Sequence, residues 1–203
     1  MVTDIVQTAI STFDGVVFDR LAECPFCGGP VQGYDTRQKK FAVLIEAGHE
    51  HAIIIQVKRF TCRNCGRLSN ADEPYYPGTR MGSVVIDLYT TLATIMPHSR
   101  AARVIAAMGI CVERTTWRNY QDRRLPAMPV EDVFGIRLPL SILTLSSLAA
   151  RIGEGGCIEG AEALAACGFP SAYRAAPDPS FTGEKRDKRD KQEEKEERHP
   201  CHP

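Results

Sequence analysis

The sequence predicts an α+β protein: a small β unit drawn together by cysteines, then an all-α unit, further short helices and a disordered charged tail. Three observations carry that prediction. Two Cys-x-x-Cys-Gly turns, Cys24–Gly28 and Cys62–Gly66, bracket a stretch rich in β-branched residues. Between residues 83 and 124 apolar side chains recur at helical spacing, punctuated by Gly109 and closed by Pro126. From Glu184 to Arg198 nearly every residue is charged, and a segment with no apolar face cannot bury enough surface to order itself.

The 203 residues have room for one medium domain or two small ones, and a 43% hydrophobic content is enough for a core. The organisation expected is a lead-in over 1–23, a cysteine-bearing β unit over 24–70, a helical domain over 71–126, short helices over 127–181 and the tail over 182–203. A zero net charge conceals an uneven distribution. Residues 1–23 carry a net of −3, 24–125 a net of +6 and 126–181 a net of −3, while the tail balances. The positive charge therefore belongs to the cysteine turns and the helices that follow them.

In the lead-in, Ile5, Ala9 and Ile10 are spaced for a short helix. After the first cysteine turn, Val31–Tyr34 can extend as a strand. Lys40–Glu46 and Ala52–Phe60 are β-branched or aromatic runs joined by Ala47–His51, which predicts a hairpin with a five-residue connection. His49 and His51 are then an exposed polar tip. The second strand runs straight into Cys62, so the hairpin returns the second cysteine turn to the first. Each turn curls two thiolates toward one point, and the glycine after it supplies a positive φ. One Cys-x-x-Cys suits a redox pair, but a Gly-flanked duplicate suits four soft ligands around one structural Zn²⁺: Cys24, Cys27, Cys62 and Cys65. This is the layout of a zinc ribbon, in which metal substitutes for a core too small to form.

Residues 71–80 form a loop with two prolines. Ser83 is placed to cap a helix running to Met96, with Val84, Val85, Leu88, Leu92, Ile95 and Met96 on one amphipathic arc. Ser99 caps a second helix, Arg100–Met108, which Gly109 ends. A third runs from about Glu113 to Arg124. Trp117 and Tyr120 offer it a packing face, whereas Arg114, Arg118 and Gln121 share another. Two helices joined by a tight Gly turn, after a first, make the helix-turn-helix arrangement. Arg, Asn and Gln can read base edges in the major groove. Residues 99–124 hold six Arg and two acids, which favours a phosphate backbone.

Cys24-x-x-Cys27-Gly28, Arg59-Phe60-Thr61-Cys62-x-x-Cys65-Gly66 and the later Ser99–Tyr120 segment together resemble the N-terminal zinc-ribbon plus helix-turn-helix region of insertion-element transposases, and related archaeal and bacterial DNA-binding regulators. The resemblance covers about residues 24–124. It implies a small β zinc ribbon followed by an all-α helix-turn-helix domain, one structural Zn²⁺, and double-stranded DNA as partner; a homodimer is a further expected partner. Arg114, Thr115, Arg118, Asn119 and Gln121 are the expected groove residues. Arg100, Arg103, Arg123 and Arg124, with Lys39, Lys40, Lys58 and Arg59, are expected on phosphates. Transposases of this kind carry a large ribonuclease-H-like domain with three carboxylates downstream. Only 78 residues follow Leu125, and no separated carboxylate set stands out among them.

No enzyme activity is therefore expected. The reading is a zinc-dependent DNA-binding protein, either a transcriptional regulator or a transposase-related recognition protein without a catalytic core. The alternative is a zinc-ribbon protein-interaction adaptor whose helices form an oligomerisation or partner surface. Residues 138–150 are the longest uncharged stretch, too short for the ~20 residues that span a bilayer, and they read as a buried helix over 139–152. Eight cysteines without a secretory signal suggest a reducing cytoplasm, with Cys111, Cys157 and Cys167 as core or unremarkable thiols.

Overall fold

The computed structural model describes residues 2–112, 116–117, 120, 125, 128–152 and 158–168. The expected tail over 182–203 and most of the expected third helix lie outside the described residues. The described elements are α1 (Val2–Ser11), β1 (Val17–Phe18), β2 (Val31–Glu46), β3 (His49–Cys62), β4 (Leu68–Asn70), α2 (Ser83–Ala93), α3 (His98–Ala107), β5 (Val130–Val133), β6 (Ile136–Pro139), α4 (Leu140–Ile152) and α5 (Gly160–Ala166). The fold is α+β, as the sequence predicts.

The long antiparallel hairpin β2–β3 organises the molecule. Its register runs from Val31 opposite Cys62 to Glu46 opposite His49. Only Ala47 and Gly48 lie between, both at positive φ (50° and 82°). The five-residue connection expected over 47–51 is thus replaced by a two-residue turn, whose backbone twist matches that of the strands it joins. His49 and His51 are strand residues, and His51 lies 3.5 Å from both Asp14 Oδ2 and Glu46 Oε2. On the other edge of β3, β1 pairs in parallel at Gln56–Val57 and β4 antiparallel at Arg59–Thr61.

A register shift between Lys40 and Ala42 leaves Phe41 as a bulge, which re-aims its side chain. The ring stacks on Phe13 at 4.1 Å and meets Tyr75 edge-on. It also lies against Gly82, where an added Cβ would come within 2.3 Å of it. The Gly82 N–H donates to the Phe41 carbonyl at 2.9 Å. One bulge thereby fixes the entrance of α2 against the sheet.

Helix α2 is the hub. Of the predicted arc, Val84, Val85, Leu88 and Leu92 are buried, but the helix ends at Ala93 instead of Met96 and leaves Ile95 exposed, while Ile86, Asp87 and Tyr89 on the opposite side are buried as well. A helix buried all round belongs at the centre of a core, and here α3, β6 and α4 also pack on it. Gly82, not Ser83, occupies the cap position, and no side chain caps the helix. Helix α1 lies chiefly against α4, through Val6, Ala9 and Ile10 on one side and Ile142, Leu145 and Leu148 on the other. Residues on both sides of the 70/71 boundary, Phe41 and Ile55 with Val85 and Leu88, contribute to one apolar cluster.

Helix α3 ends as predicted on Gly109 (φ 77°). The chain then hooks onto the outer edge of β2: the Ile45 N–H donates to the Gly109 carbonyl at 2.6 Å, and the Cys111 N–H to Val43 at 2.9 Å. Trp117 and Tyr120 are buried. Trp117 stacks on Tyr89 of α2 at 4.1 Å, and the Tyr120 hydroxyl accepts the Arg80 N–H at 3.2 Å. Their inward placement is the packing role expected of them.

Residues 130–139 hold a feature not expected from the sequence. In place of the short helices expected from residue 127, β5 and β6 form a hairpin, with Glu131 and Asp132 exposed in its first strand. Its turn again uses two positive-φ residues, Phe134 (52°) and Gly135 (77°). Helix α4 then follows within a residue of expectation. Cys167 is buried and is not in a disulfide. Cys111, however, is disulfide-bonded, against the expectation that it is a core or unremarkable thiol.

Candidate metal centre

The centre is assembled by strand register. Val31, just after the first cysteine turn, pairs with Cys62, which opens the second, so the turns are held side by side. They share one hydrogen-bond plan. The Gly28 N–H donates to the Cys24 carbonyl at 2.9 Å, and the Gly66 N–H to the Cys62 carbonyl at 3.1 Å. The Cys24 N–H donates to Gly29, and the Cys62 N–H to Arg67. Gly28 (φ 66°) and Gly66 (φ 70°) adopt the left-handed conformation that closes each turn. Asn64 packs on Gly29 so closely that a Cβ there would meet its amide nitrogen at 2.6 Å, locking one turn on the other.

Four sulfurs converge. Cys24 Sγ lies 3.7 Å from Cys65 Sγ and Cys27 Sγ 3.5 Å from Cys62 Sγ, and all four fall within 4.8 Å of one another. A tetrahedron with Zn–S bonds of about 2.3 Å has sulfur–sulfur edges of about 3.8 Å. The geometry therefore fits one tetrahedral ion. Cys24 and Cys62 are buried, while Cys27 and Cys65 face solvent. The Cys65 and Asn64 N–H groups point at Cys62 Sγ from 3.5 and 3.4 Å, and they lower the Cys62 thiol to about 6. Amides so aimed stabilise thiolate charge and orient the ligand. Among the described residues no other group of three or more His, Cys, Asp or Glu side chains is gathered closely enough to hold an ion.

The expected DNA-contacting residues divide. Arg114, Thr115, Arg118, Asn119, Gln121, Arg123 and Arg124 lie outside the described residues. Arg100 and Arg103 are exposed on α3. Lys39 is held by both carboxylate oxygens of Glu73 at 2.7 and 2.8 Å, and Arg59 makes two hydrogen bonds to Asp35. These two cations are already engaged, and Arg59 holds the Asp35 carboxyl below its ordinary range. Lys58 lies over the Phe60 ring, 5.5 Å from its centroid, and Lys40 is exposed.

Two features escaped the sequence reading. The first is basic–aromatic pairing around the cysteines: Arg67 sits 4.7 Å from the centroid of Phe26, and Arg59 5.4 Å from that of Tyr34. The second is a buried polar cluster in the core. Asp87, 1% exposed, accepts hydrogen bonds from the Tyr76 hydroxyl and from Ser141 Oγ, the latter at 2.9 Å. Burial pushes the Asp87 carboxyl up to about 6. A lone acid within the apolar run Val84–Leu88 was the available signal.

No protein-family model matches the chain, and neither a curated protein nor a solved structure matches it. No helix among the described residues is long and apolar enough to cross a membrane.

Proposed function

We propose that the protein is a zinc-dependent DNA-binding protein without a catalytic core, acting in transcriptional regulation or in transposase-related target recognition. The observation that carries this reading is the convergence of four cysteine sulfurs, at the spacing of a tetrahedral ion, on the basic end of a long hairpin. An S₄ set favours Zn²⁺ or an iron–sulfur centre over harder ions, and a closed four-ligand site is a structural one. The resemblance of residues 24–124 to zinc-ribbon plus helix-turn-helix proteins points the same way.

In this reading α3, the Gly109 turn and the segment bearing Trp117 form the helix-turn-helix. Burial of Trp117 and Tyr120 supports it, because a recognition helix needs an inward face to anchor it. Arg114, Arg118 and Gln121 then read bases, and Arg100 and Arg103 hold phosphates. The test is titration of the zinc-loaded chain with mixed-sequence duplex DNA at two salt concentrations, beside the Arg114/Arg118 double alanine variant. Salt-sensitive binding by the parent and at least tenfold weaker binding by the variant support the reading. Equal duplex affinity of the two, with the fold intact, refutes it.

The adaptor reading has one observation in its favour: Phe134 is 81% exposed at a hairpin tip, in a backbone conformation that bulky residues seldom adopt. Loss of a protein partner on Phe134→Ser, with duplex binding unchanged, selects that alternative.

A further inference from the structure

We propose that the cysteine-capped end of the β2–β3 hairpin is a stacking platform for single-stranded nucleic acid, separate from the duplex-reading helices. The inference rests on nucleic acid as the partner class and assigns a second surface to it.

Charge and aromaticity coincide at this end. Residues 24–40 and 56–68 carry seven basic groups and one acidic, a net of +6, of which Glu73 offsets the charge on Lys39. The opposite end of the same hairpin, residues 41–55, carries Glu46 and Glu50 and no Lys or Arg. Arg37, Arg63 and Arg67 are exposed on the basic end. Among them stand two aromatic side chains that contribute little to the core: Phe26 is 49% exposed and Tyr34 65%. Tyr34 is three residues beyond Val31, the partner of Cys62, and at about 3.4 Å per residue it stands roughly 10 Å along the strand from the cysteines.

Each exposed ring carries a guanidinium over it, Arg67 on Phe26 and Arg59 on Tyr34. Asp35 in turn grips Arg59, holding that cation in place beside Tyr34. An aromatic face beside a fixed guanidinium suits an unpaired base, which stacks on the ring while its phosphates meet the surrounding cations. Base pairs in a duplex already stack on each other and do not offer that face. The cysteine turns give the platform rigidity, because Phe26 and Arg67 are carried by residues flanking the four sulfurs. The partner is thus an unstructured strand, and stacking of this kind is tolerant of sequence. RNA and DNA strands share the chemistry.

The test is fluorescence anisotropy on the full zinc-loaded chain with labelled 15-nucleotide oligothymidylate and oligouridylate, at two salt concentrations. Variants are Phe26→Ala, Tyr34→Ala, Tyr34→Phe, Arg63→Gln and the Arg114/Arg118 double alanine. Metal content and circular dichroism establish that each variant is folded. Binding to one or both strands is expected, weakening about tenfold for each aromatic-to-alanine change with the salt slope unchanged. Tyr34→Phe should retain parental affinity, and Arg63→Gln should lower the salt slope by about 0.7. The double alanine variant should bind single strands like the parent, whatever it does to duplex, so the two surfaces can fail separately. The strand bound more tightly identifies the natural partner as RNA or DNA. No single-strand binding at low salt, or parental affinity in folded Phe26→Ala and Tyr34→Ala, overturns the proposal.

Discussion

At its turn end the β2–β3 hairpin sends Phe41, Leu44, Ile53 and Ile55 into the helical core, each no more than 1% exposed. At its cysteine end, seven consecutive residues, Gln32–Gln38, are exposed. The same two strands are therefore held by different physics along their length. Near the turn, α1, α2 and the Gly109 hook cover the sheet, and full burial of each large apolar side chain contributes about 1.5–3 kcal/mol. Toward the cysteines β2 is exposed over Gln32–Gln38, and on β3 Phe60 is the last large side chain in the apolar cluster. There the ladder hydrogen bonds, the Arg59–Asp35 and Lys39–Glu73 pairs and the four convergent sulfurs remain. A long hairpin can thus extend past its apolar core, provided something other than apolar burial closes the far end.

Breaking the cysteine end should give the largest effect. Structural Zn²⁺ in small domains contributes on the order of 10 kcal/mol of apparent folding free energy. Chelation, or Cys62→Ala, should abolish amide-exchange protection over residues 24–38 and 56–68 while α2 and α4 stay protected. Exchange read by mass spectrometry checks this. Simultaneous loss of protection in α2 would show that the two ends are one cooperative unit, and the comparison would fall.

Phe41→Ala strikes the other end. Removing a buried Phe costs about 3–5 kcal/mol, and here it also empties the contacts to Phe13, Tyr75 and Gly82. A large drop in the thermal midpoint is expected, with metal still bound in the native state. A metal-free protein with an unchanged midpoint would reverse the assignment of roles.

Asp87 gives a smaller effect with a defined pH window. Its folded value is raised, from 3.8 to about 6, so the fold favours the protonated acid. Between about pH 4 and pH 6 the unfolded chain ionises first, and stability falls as pH rises through that window before levelling off. The contribution lost is on the order of 2–3 kcal/mol for a two-unit shift. Asp87→Asn should remove that decline, so the stability difference between variant and parent should grow in the variant's favour from pH 4 to pH 6. A pH-independent difference would contradict the burial argument.

The smallest effect tests the turn. Ala47 sits at φ 50°, where a residue with a Cβ is disfavoured and Asn is better tolerated. Ala47→Asn should stabilise by about 0.5–1 kcal/mol in chemical denaturation. Destabilisation would mean that the turn is not the two-residue type described.

How much of this was legible in the sequence follows from the range of each interaction. The convergence of the four cysteines was legible, because a Cys-x-x-Cys-Gly turn is a five-residue object whose geometry is local. Gly109 and the apolar arc of α2 were legible for the same reason. The burial of α2 on its far side was not, because Ile86, Asp87 and Tyr89 are covered by elements distant in sequence, including β6 and α4. Ser141, a partner of Asp87, lies 54 residues away. The hairpin of β5 and β6 was hidden by Glu131, Asp132 and flanking prolines, which mimic a linker. The exposed Phe26 and Tyr34 read as ordinary strand or turn residues until the fold left them in solvent beside arginines.

The central claim is that Cys24, Cys27, Cys62 and Cys65 close around a single structural Zn²⁺. X-ray absorption at the zinc edge, on protein purified without chelator, tests it most directly. One zinc per chain with four sulfur neighbours at about 2.3 Å is the expected result. No bound zinc, or a first shell containing nitrogen or oxygen ligands, would contradict it.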